Sequence, residues 1–267
     1  MTSESSMVTV SRSGAHDRIA VAQLDRPEAM NAISTELARQ LSDAMGRIAE
    51  DPGVAVVVLA STRERAFCVG ADLKERGKFT TEQMLTHREI SRAAYRGVLD
   101  LPMPAIAAID GYALGGGLEL ALSCDQIVAS AGAVVALPEV SVGLIPGGGG
   151  TQLLTRRIGW SKAASLIFTA VRLSAGEAHA SGVVDTISQG LAGPTAMALA
   201  EQIAQNSPVA LREAKRAMRN GLDVPLAQAL DIEDTSWRAT VKSPDREEGI
   251  TAFNEKRSPR WHSLSID

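Results

Sequence analysis

Apolar residues in the first two-thirds of the chain alternate between short continuous runs and a helical spacing. Residues 54–61 form a continuous β-branched run, which is typical of a strand buried on both faces of a sheet. Residues 34–51 instead repeat apolar side chains every three or four positions, which predicts an amphipathic helix capped by Ser34 or Thr35. Further strand-like runs lie at 19–24, 104–111 and 125–130. Strands alternating with helices in this way predict a layered α/β fold with right-handed crossovers.

The pattern changes towards the C-terminus. Ser174 and Glu177 have the spacing of a capping box, Gly182 is placed to end the helix that follows them, and the next apolar residues predict a return strand. From about residue 194 the pattern is helical only, and two of these helices are predicted to begin at Ser-Pro pairs. We therefore predict an α/β core over 1–193. Residues 194–267 are predicted to form a helical subdomain that packs on this core or on a neighbouring subunit.

Composition narrows the possible partners. A net charge of -4 and an aromatic content of 3% argue against a nucleic-acid surface, which is usually basic and often carries stacking aromatics. The two cysteines, Cys68 and Cys124, are far apart in the sequence, which favours free thiols in a reducing compartment over a disulfide framework. The sequence has neither a signal-peptide pattern nor an apolar run long enough to span a membrane. We expect a cytoplasmic protein.

Glycine-rich segments raise the question of nucleotide binding, but their spacing excludes the common motifs. Residues 111–121 lack the GxGxxG pattern, and residues 143–152 lack the GK[ST] ending of a P-loop. The sequence contains no GxSxG serine-hydrolase motif. Its histidines have no metal-binding spacing, and each is expected on the surface or on a helix face: His16, His87, His179 and His262. Chemistry by carboxylates and backbone amides, without a metal, remains.

Two glutamates stand out because they interrupt apolar segments beside glycine-rich turns. Glu119 follows three glycines inside the run "GGGLELAL", and Glu139 lies between Pro138 and the glycines of 143–150. Either could be a solvated loop residue or a paired charge in the core, since unpaired glutamate is rarely buried. That two occur in the same kind of context favours a catalytic pair.

The glycines have a possible chemical function of their own. Gly70 and Ala71 precede one helix-like segment, and Gly115, Gly116 and Gly117 precede another. Free N–H groups at a helix start point outward, and one from each turn would form an oxyanion hole. The alternative is that both are simply tight turns between a strand and a helix.

Six segments together carry a resemblance to a known family. They occur in family order over about residues 8–260: "LDRPEAMNAIS", "AFCVGADLKE", "PAIAAIDGYALGGGLELALSCD", "LPEVSVGLIPGGGGTQLLTRRIG", "LSAGEAHASGVVD" and "AFNEKR". On these segments the chain resembles the crotonase family, also called the enoyl-CoA hydratase/isomerase superfamily.

The resemblance implies a fold of stacked ββα units with a C-terminal helical region that builds trimers, usually paired into hexamers. It implies acyl-CoA thioester substrates, with coenzyme A as part of the substrate and no further cofactor. The amides of Ala71 and Gly116 would hold the thioester oxygen, and Glu119 and Glu139 match the two catalytic glutamates of the hydratases.

The same resemblance implies roles in binding coenzyme A and water. Arg26 and Ala29 would line the coenzyme A groove, and Lys74 would contact a phosphate. Trp237 and Lys256 would reach the adenine end, often from a neighbouring subunit, and the Gly147 amide would orient the attacking water. Residues 74–97, the least family-like stretch, are expected to shape the acyl pocket.

We therefore expect an enoyl-CoA hydratase, a hydro-lyase in which Glu139 acts mainly as the acid and Glu119 mainly activates water. An enoyl-CoA isomerase and other reactions of the family are the nearest alternatives. A non-catalytic acyl-CoA-binding or RNA-binding protein is the alternative of another class. RNA binding is disfavoured because the helix predicted at 34–51 has no lysine and only two arginines.

Overall fold

A computed structural model describes residues 6–261, in which ten strands form two sheets. The larger sheet contains β1 (Val8–Ser13), β2 (Ile19–Leu24), β3 (Val56–Ser61), β5 (Ala105–Ile109), β7 (Gln126–Ser130) and β10 (Thr186–Ser188). The smaller sheet contains β4 (Ala66–Cys68), β6 (Tyr112–Leu114), β8 (Val134–Ala136) and β9 (Leu173–Ser174). The larger sheet has the order β1-β2-β3-β5-β7-β10 and is parallel except where β1 pairs with β2. The smaller has the order β4-β6-β8-β9, with only β8 and β9 antiparallel.

The chain passes repeatedly from the larger sheet to the smaller one and then into a helix. The pairs β3–β4, β5–β6 and β7–β8 each follow this order. The helices are α1 (Thr35–Glu50), α2 (Leu73–Arg76), α3 (Thr81–Leu99), α4 (Gly116–Leu122), α5 (Gly150–Ile158), α6 (Trp160–Thr169), α7 (Ala175–Ser181), α8 (Ala192–Ala204), α9 (Pro208–Gly221), α10 (Leu226–Val241) and α11 (Pro244–Glu255). The repeated unit is a strand of the larger sheet, a strand of the smaller sheet and a helix. Because neighbouring units pair strand to strand, the turns that lead from strand to helix lie near one another.

The continuous apolar run that predicted a doubly buried strand is β3. Val57 and Leu59 belong to the main core, whereas Val56 and Val58 face a second cluster on the opposite side of the sheet. Successive side chains of a strand point to opposite faces, so a strand covered on both sides has no polar face. The strands predicted at 19–24, 104–111 and 125–130 are confirmed as β2, β5 and β7.

Helix starts follow the predicted capping chemistry. Ser34 Oγ accepts a hydrogen bond from the Leu37 amide and caps α1, and Ser174 forms a capping box with Glu177 at α7. Gly182 ends α7 in the left-handed region, as predicted. The strand that follows is shorter than predicted, because only Thr186–Ser188 pairs with β7.

The predicted boundary at residues 193 and 194 lies inside α8. Ala192, Ala196 and Ala200 of this helix pack on the larger sheet, since small side chains let the helix approach the strands closely. Beyond it, α9–α11 display large apolar side chains to solvent, among them Trp237 and Phe253, which are 60% and 83% exposed. The predicted role of these helices in trimer formation stays a prediction.

No helix in the part of the chain that the structure describes is both long enough and apolar enough to cross a membrane.

Candidate active site

A cavity of about 380 Å³ opens where α2, α3 and α4 meet the two loops after β8. Five of the residues that were given catalytic or binding roles from the sequence line it: Ala71, Gly116, Glu119, Glu139 and Gly147. They come from four separate chain segments, each of which ends or begins a turn of the stacked fold. The fold therefore brings together the two carboxylates and the two glycine-containing turns that were predicted to act as one site.

Glu119 is held inside this site by backbone amides. It lies in α4, whose leucines are buried in the core, and its side chain is itself only 3% exposed. Glu119 Oε1 accepts hydrogen bonds from the Gly148 amide at 2.6 Å and the Gly150 amide at 2.8 Å. The buried carboxylate is thus bonded to peptide groups, and within residues 6–261 it forms no salt bridge.

The protonation of Glu119 reflects opposing influences. Burial raises its pKa to about 7, and the nearby charge of Glu139 adds to this increase. The two amide hydrogen bonds and the charge of Arg88 act in the opposite direction, because they favour the ionised form. A carboxyl with a pKa near neutrality can both accept and release a proton at physiological pH.

Glu139 lies at the start of a 3₁₀ turn, Glu139–Val142, directly after Pro138. Its Oε2 atom is buried and has no hydrogen-bond partner in the described part of the chain, and burial raises the pKa of this carboxyl too. Gly115 lies against it: a Cβ at Gly115 would fall 2.8 Å from Glu139 Oε1, and its φ of +52° also disfavours any other residue. Glycine at 115 is therefore required both by backbone conformation and by the carboxylate.

The two turns proposed as an oxyanion hole are in direct contact. Gly70 has a φ of +86°, and a Cβ there would fall 2.7 Å from the Leu114 carbonyl oxygen and 2.9 Å from the Gly116 nitrogen. Gly116 is the first residue of α4, so its amide has no acceptor within the helix. Among the described residues, neither the Ala71 nor the Gly116 amide donates a hydrogen bond to the protein. Both residues line the cavity, which leaves two donors for a ligand oxygen.

The sequence did not single out the polar side chains of α3 that complete the cavity. Tyr95 is buried, and a Cβ at Gly116 would fall 2.2 Å from its hydroxyl oxygen. Burial and the charge of Glu119 raise the pKa of Tyr95 well above its ordinary value. Arg88 donates to the carbonyl oxygen of Gly147 and so links α3 to the loop that holds Glu119. Residues 74–97 were expected to shape the acyl pocket, and side chains of this segment do line the cavity, but nothing in the sequence identified Tyr95 or Arg88 in particular.

Comparison with known proteins agrees with this geometry. Residues 14–264 match a family model described as enoyl-CoA hydratase/isomerase. The chain belongs to the enoyl-CoA hydratase/isomerase family.

Relatives match over nearly the whole chain. YngF of Bacillus subtilis, provisionally named an enoyl-CoA hydratase/isomerase, is 43% identical over 91% of this chain and 94% of its own. The human mitochondrial methylglutaconyl-CoA hydratase is 42% identical over 91% of this chain and 73% of its own. The crystal structure of an enoyl-CoA hydratase from Bacillus anthracis superposes with a TM-score of 0.92 at 39% identity, covering 96% of this chain and 98% of that one. The family, the crotonase-type stacked ββα fold and the enzyme class, a hydro-lyase, are thereby confirmed.

The residues expected to bind coenzyme A lie outside the cavity lining. Arg26 Nη1 donates to Asp72 Oδ2 and to the Ala32 carbonyl oxygen, both at 2.8 Å, so this guanidinium braces the loop before α1. Ala29 closes a 3₁₀ turn beside it. Three further residues are exposed, at the start of α2, in α10 and at the end of α11: Lys74, Trp237 and Lys256. Their roles towards coenzyme A stay predictions, and His262 lies outside the described residues.

His87 lies on a helix face, one of the two positions expected for the histidines, and it is also buried at the cavity. It belongs to α3 and is only 5% exposed. Burial lowers its pKa, and the charge of Arg76 lowers it further, as does that of Arg39.

Proposed function

We propose that this enzyme adds water across the C2–C3 double bond of a trans-2-enoyl-CoA and forms a 3-hydroxyacyl-CoA. The observation that carries the proposal is the meeting of a buried and a half-buried carboxylate, Glu119 and Glu139, with two backbone amides that are unpaired among the described residues, in one cavity. Hydration needs both kinds of group. Carboxylates can take a proton from water and give one to carbon, and the amides can stabilise the negative charge that develops on the thioester oxygen between these two events.

The amides of Ala71 and Gly116 account for the charge. Attack at C3 moves electrons through the double bond onto the thioester oxygen, which becomes an enolate. Donors already fixed at that oxygen stabilise it without reorganisation, and each contributes about 3 kcal/mol in comparable oxyanion holes. The contact between Gly70 and Gly116 keeps the two donor turns together.

The carboxylates account for the protons. Glu119 accepts a proton from water as the water oxygen bonds to C3. Glu139 delivers a proton to C2 as the enolate collapses, so the substrate gains the elements of one water molecule. The two amides on Glu119 Oε1 favour the ionised form of that carboxyl, whereas no donor within residues 6–261 bonds to Glu139 Oε2. We assign the base and acid roles accordingly, for a pair whose titrations are coupled.

Double-bond migration is the nearest competing reaction, and it needs only one carboxylate to move a proton between carbons. The presence of both Glu119 and Glu139 on the cavity favours hydration. We further propose that coenzyme A enters as part of the substrate, that no other cofactor takes part, and that the exposed apolar side chains of α9–α11 pair subunits into a homotrimer or hexamer.

The test is turnover of crotonyl-CoA, followed by loss of the conjugated enoyl-thioester absorbance and by product mass. We expect a gain of one water in the wild type, and loss of turnover in both Glu119→Gln and Glu139→Gln. Glu201→Gln, an exposed carboxylate on α8, is the matched control and should retain activity. Hydration that persists at near wild-type rates in either site variant, with folding and thioester binding intact, would refute the assignment.

A further inference from the structure

One wall of the cavity carries cations that the hydration chemistry does not use. Apolar side chains of Leu73, Met84 and Ile145 line this region, and among them lie Arg76 and Arg88. An acyl pocket for hydrocarbon chains has no need of guanidinium groups, which are costly to remove from water. These arginines therefore call for an explanation beyond hydration of the double bond.

Arg76 lacks the partners that a half-buried arginine usually has. Its Nε atom is buried without a hydrogen-bond partner, and its guanidinium forms no ion pair with any carboxylate in residues 6–261. Glu75, the adjacent carboxylate, instead accepts a hydrogen bond from the Thr35 amide at 2.9 Å. Buried polar groups in native proteins almost always have a partner, so a ligand is the natural source of the missing acceptor.

His87 repeats the pattern beside it. Its Nε2 atom is buried and has no partner among the described residues, and its ring packs against Phe79 with 5.3 Å between ring centroids. The charge of Arg76 is close enough to lower the pKa of His87. Two neighbouring groups on this wall thus each have an unused nitrogen at the same cavity.

We propose that this wall binds a carboxylate at the far end of the acyl chain, so that the substrate is a dicarboxylic 2-enoyl-CoA. The proposal rests on the proposed hydration. An ionised carboxylate only accepts hydrogen bonds and matches the planar guanidinium in geometry, so it would pair with Arg76 and accept from His87. Arg88, already bonded to the Gly147 carbonyl oxygen, adds positive charge to the same cavity.

The position in the cavity favours the acyl chain over coenzyme A as the source of the anion. Arg76 and His87 share the cavity with Glu119, Glu139 and the oxyanion amides, where the reacting carbons must lie. A phosphate of coenzyme A carries the same kind of charge, and the experiment must separate the two sources.

Matched pairs of substrates distinguish a carboxylate of the acyl chain from a phosphate of coenzyme A, because both members of a pair carry the same coenzyme A. The first pair is trans-glutaconyl-CoA and trans-5-methyl-2-hexenoyl-CoA, in which an isopropyl group replaces the terminal carboxylate. The second pair has one more carbon: trans-2-hexenedioyl-CoA and trans-6-methyl-2-heptenoyl-CoA. We expect the wild type to hydrate at least one dicarboxylic thioester with a kcat/KM about 100-fold above that of its neutral partner, the size typical of a desolvated charge pair.

Variants assign the preference to Arg76. Arg76→Leu should reduce the ratio of the two kcat/KM values by about 100-fold, and Arg76→Lys, which keeps the charge but not the planar fork, should restore part of it. Arg92→Leu is the matched control, because Arg92 is an exposed arginine of the neighbouring helix α3 and lies outside the cavity lining. It should leave the ratio unchanged.

The outcomes distinguish this proposal from hydration itself. No hydration of any thioester would refute the proposed function. Hydration with equal kcat/KM for both members of each pair would overturn the dicarboxylic proposal alone, and this result needs no variant to fold. An equal loss for charged and neutral substrates in Arg76→Leu would also overturn it, and would assign Arg76 to a phosphate of coenzyme A.

Discussion

Replacing Glu119 by glutamine should stabilise the protein at alkaline pH while abolishing hydration. Glutamine keeps an oxygen that can accept from the Gly148 and Gly150 amides, but it removes a carboxyl that is unfavourable to ionise where it lies. Burial raises the pKa of Glu119 to about 7 from an ordinary value of 4.5, so the folded state favours the protonated form. Stability from this group is therefore complete below pH 4.5 and is lost as pH rises towards 7.

The magnitude follows from linkage. At about 1.36 kcal/mol per pH unit, the two pKa values correspond to about 3.4 kcal/mol over the whole range. Between pH 5 and pH 8 the wild type should lose about 2.5 kcal/mol of unfolding free energy from this group alone. Glu119→Gln has no such loss, so its advantage over the wild type should grow by about 2.5 kcal/mol over that interval.

Urea unfolding at pH 5 and pH 8, at one fixed protein concentration, measures this difference. Groups distant from Glu119 titrate alike in both proteins and cancel in the comparison, so that the remaining difference belongs to Glu119 and to Glu139, which is coupled to it. The exposed-carboxylate variant Glu201→Gln shows what removal of a surface charge does by itself. The unfolding free energies of Glu119→Gln and the wild type give one difference at pH 5 and another at pH 8. If these two differences agree within about 1 kcal/mol, the claim that ionising Glu119 destabilises the folded state is refuted.

Three further predictions concern the shape and anchoring of the site. Tyr95→Phe removes a hydroxyl beside Gly116 and Glu119 but keeps the ring. We expect kcat for crotonyl-CoA to fall about tenfold with little change in the urea midpoint. An unchanged kcat would show that Tyr95 serves only in packing. Gly148→Ala places a Cβ 2.7 Å from the Tyr95 ring and 2.8 Å from Glu119 Oε2, and it should lower kcat about 100-fold. Gly132→Ala is the control, because its Cβ would meet no atom within 4 Å, and it should leave kcat unchanged. Lys215→Met removes the Nζ bonds to Asp125 at 2.6 Å and to the Met103 carbonyl oxygen and should lower the unfolding free energy by about 2 kcal/mol, as measured by urea unfolding.

The elements that sequence reasoning located best are those whose signal is local. The run of β3 and the serine cap of α1 depend on neighbouring residues only, and both are present as predicted. Glu119 could be found because an unpaired carboxylate in an apolar run is unfavourable unless something compensates for it. Local pattern could therefore identify the candidate base but not what holds it.

The features that were missed depend on residues distant in sequence. Tyr95 occupies an apolar position of α3, where a helical pattern cannot distinguish packing from a place beside the substrate. Arg26 pairs with Asp72, which is 46 residues away, and no local pattern indicates that bond; its expected place in the coenzyme A groove stays a prediction. Arg76 looks like any polar residue at the end of a short helix until the structure shows that its buried Nε atom has no hydrogen-bond partner among residues 6–261.

The glycines of 147–150 show most clearly how backbone can serve chemistry. Gly148 and Gly150 do not have a left-handed φ, yet a Cβ would fall 2.8 Å from Glu119 Oε2 at the first and 2.9 Å from Oε1 at the second. They are required because the peptide must approach the carboxylate closely, not because the chain must turn there. Their two amides take the place of water around a charge that the fold excludes from solvent. Among residues 6–261 no salt bridge holds Glu119 permanently ionised, and it keeps a pKa near neutrality, which is what a base that must also release its proton requires.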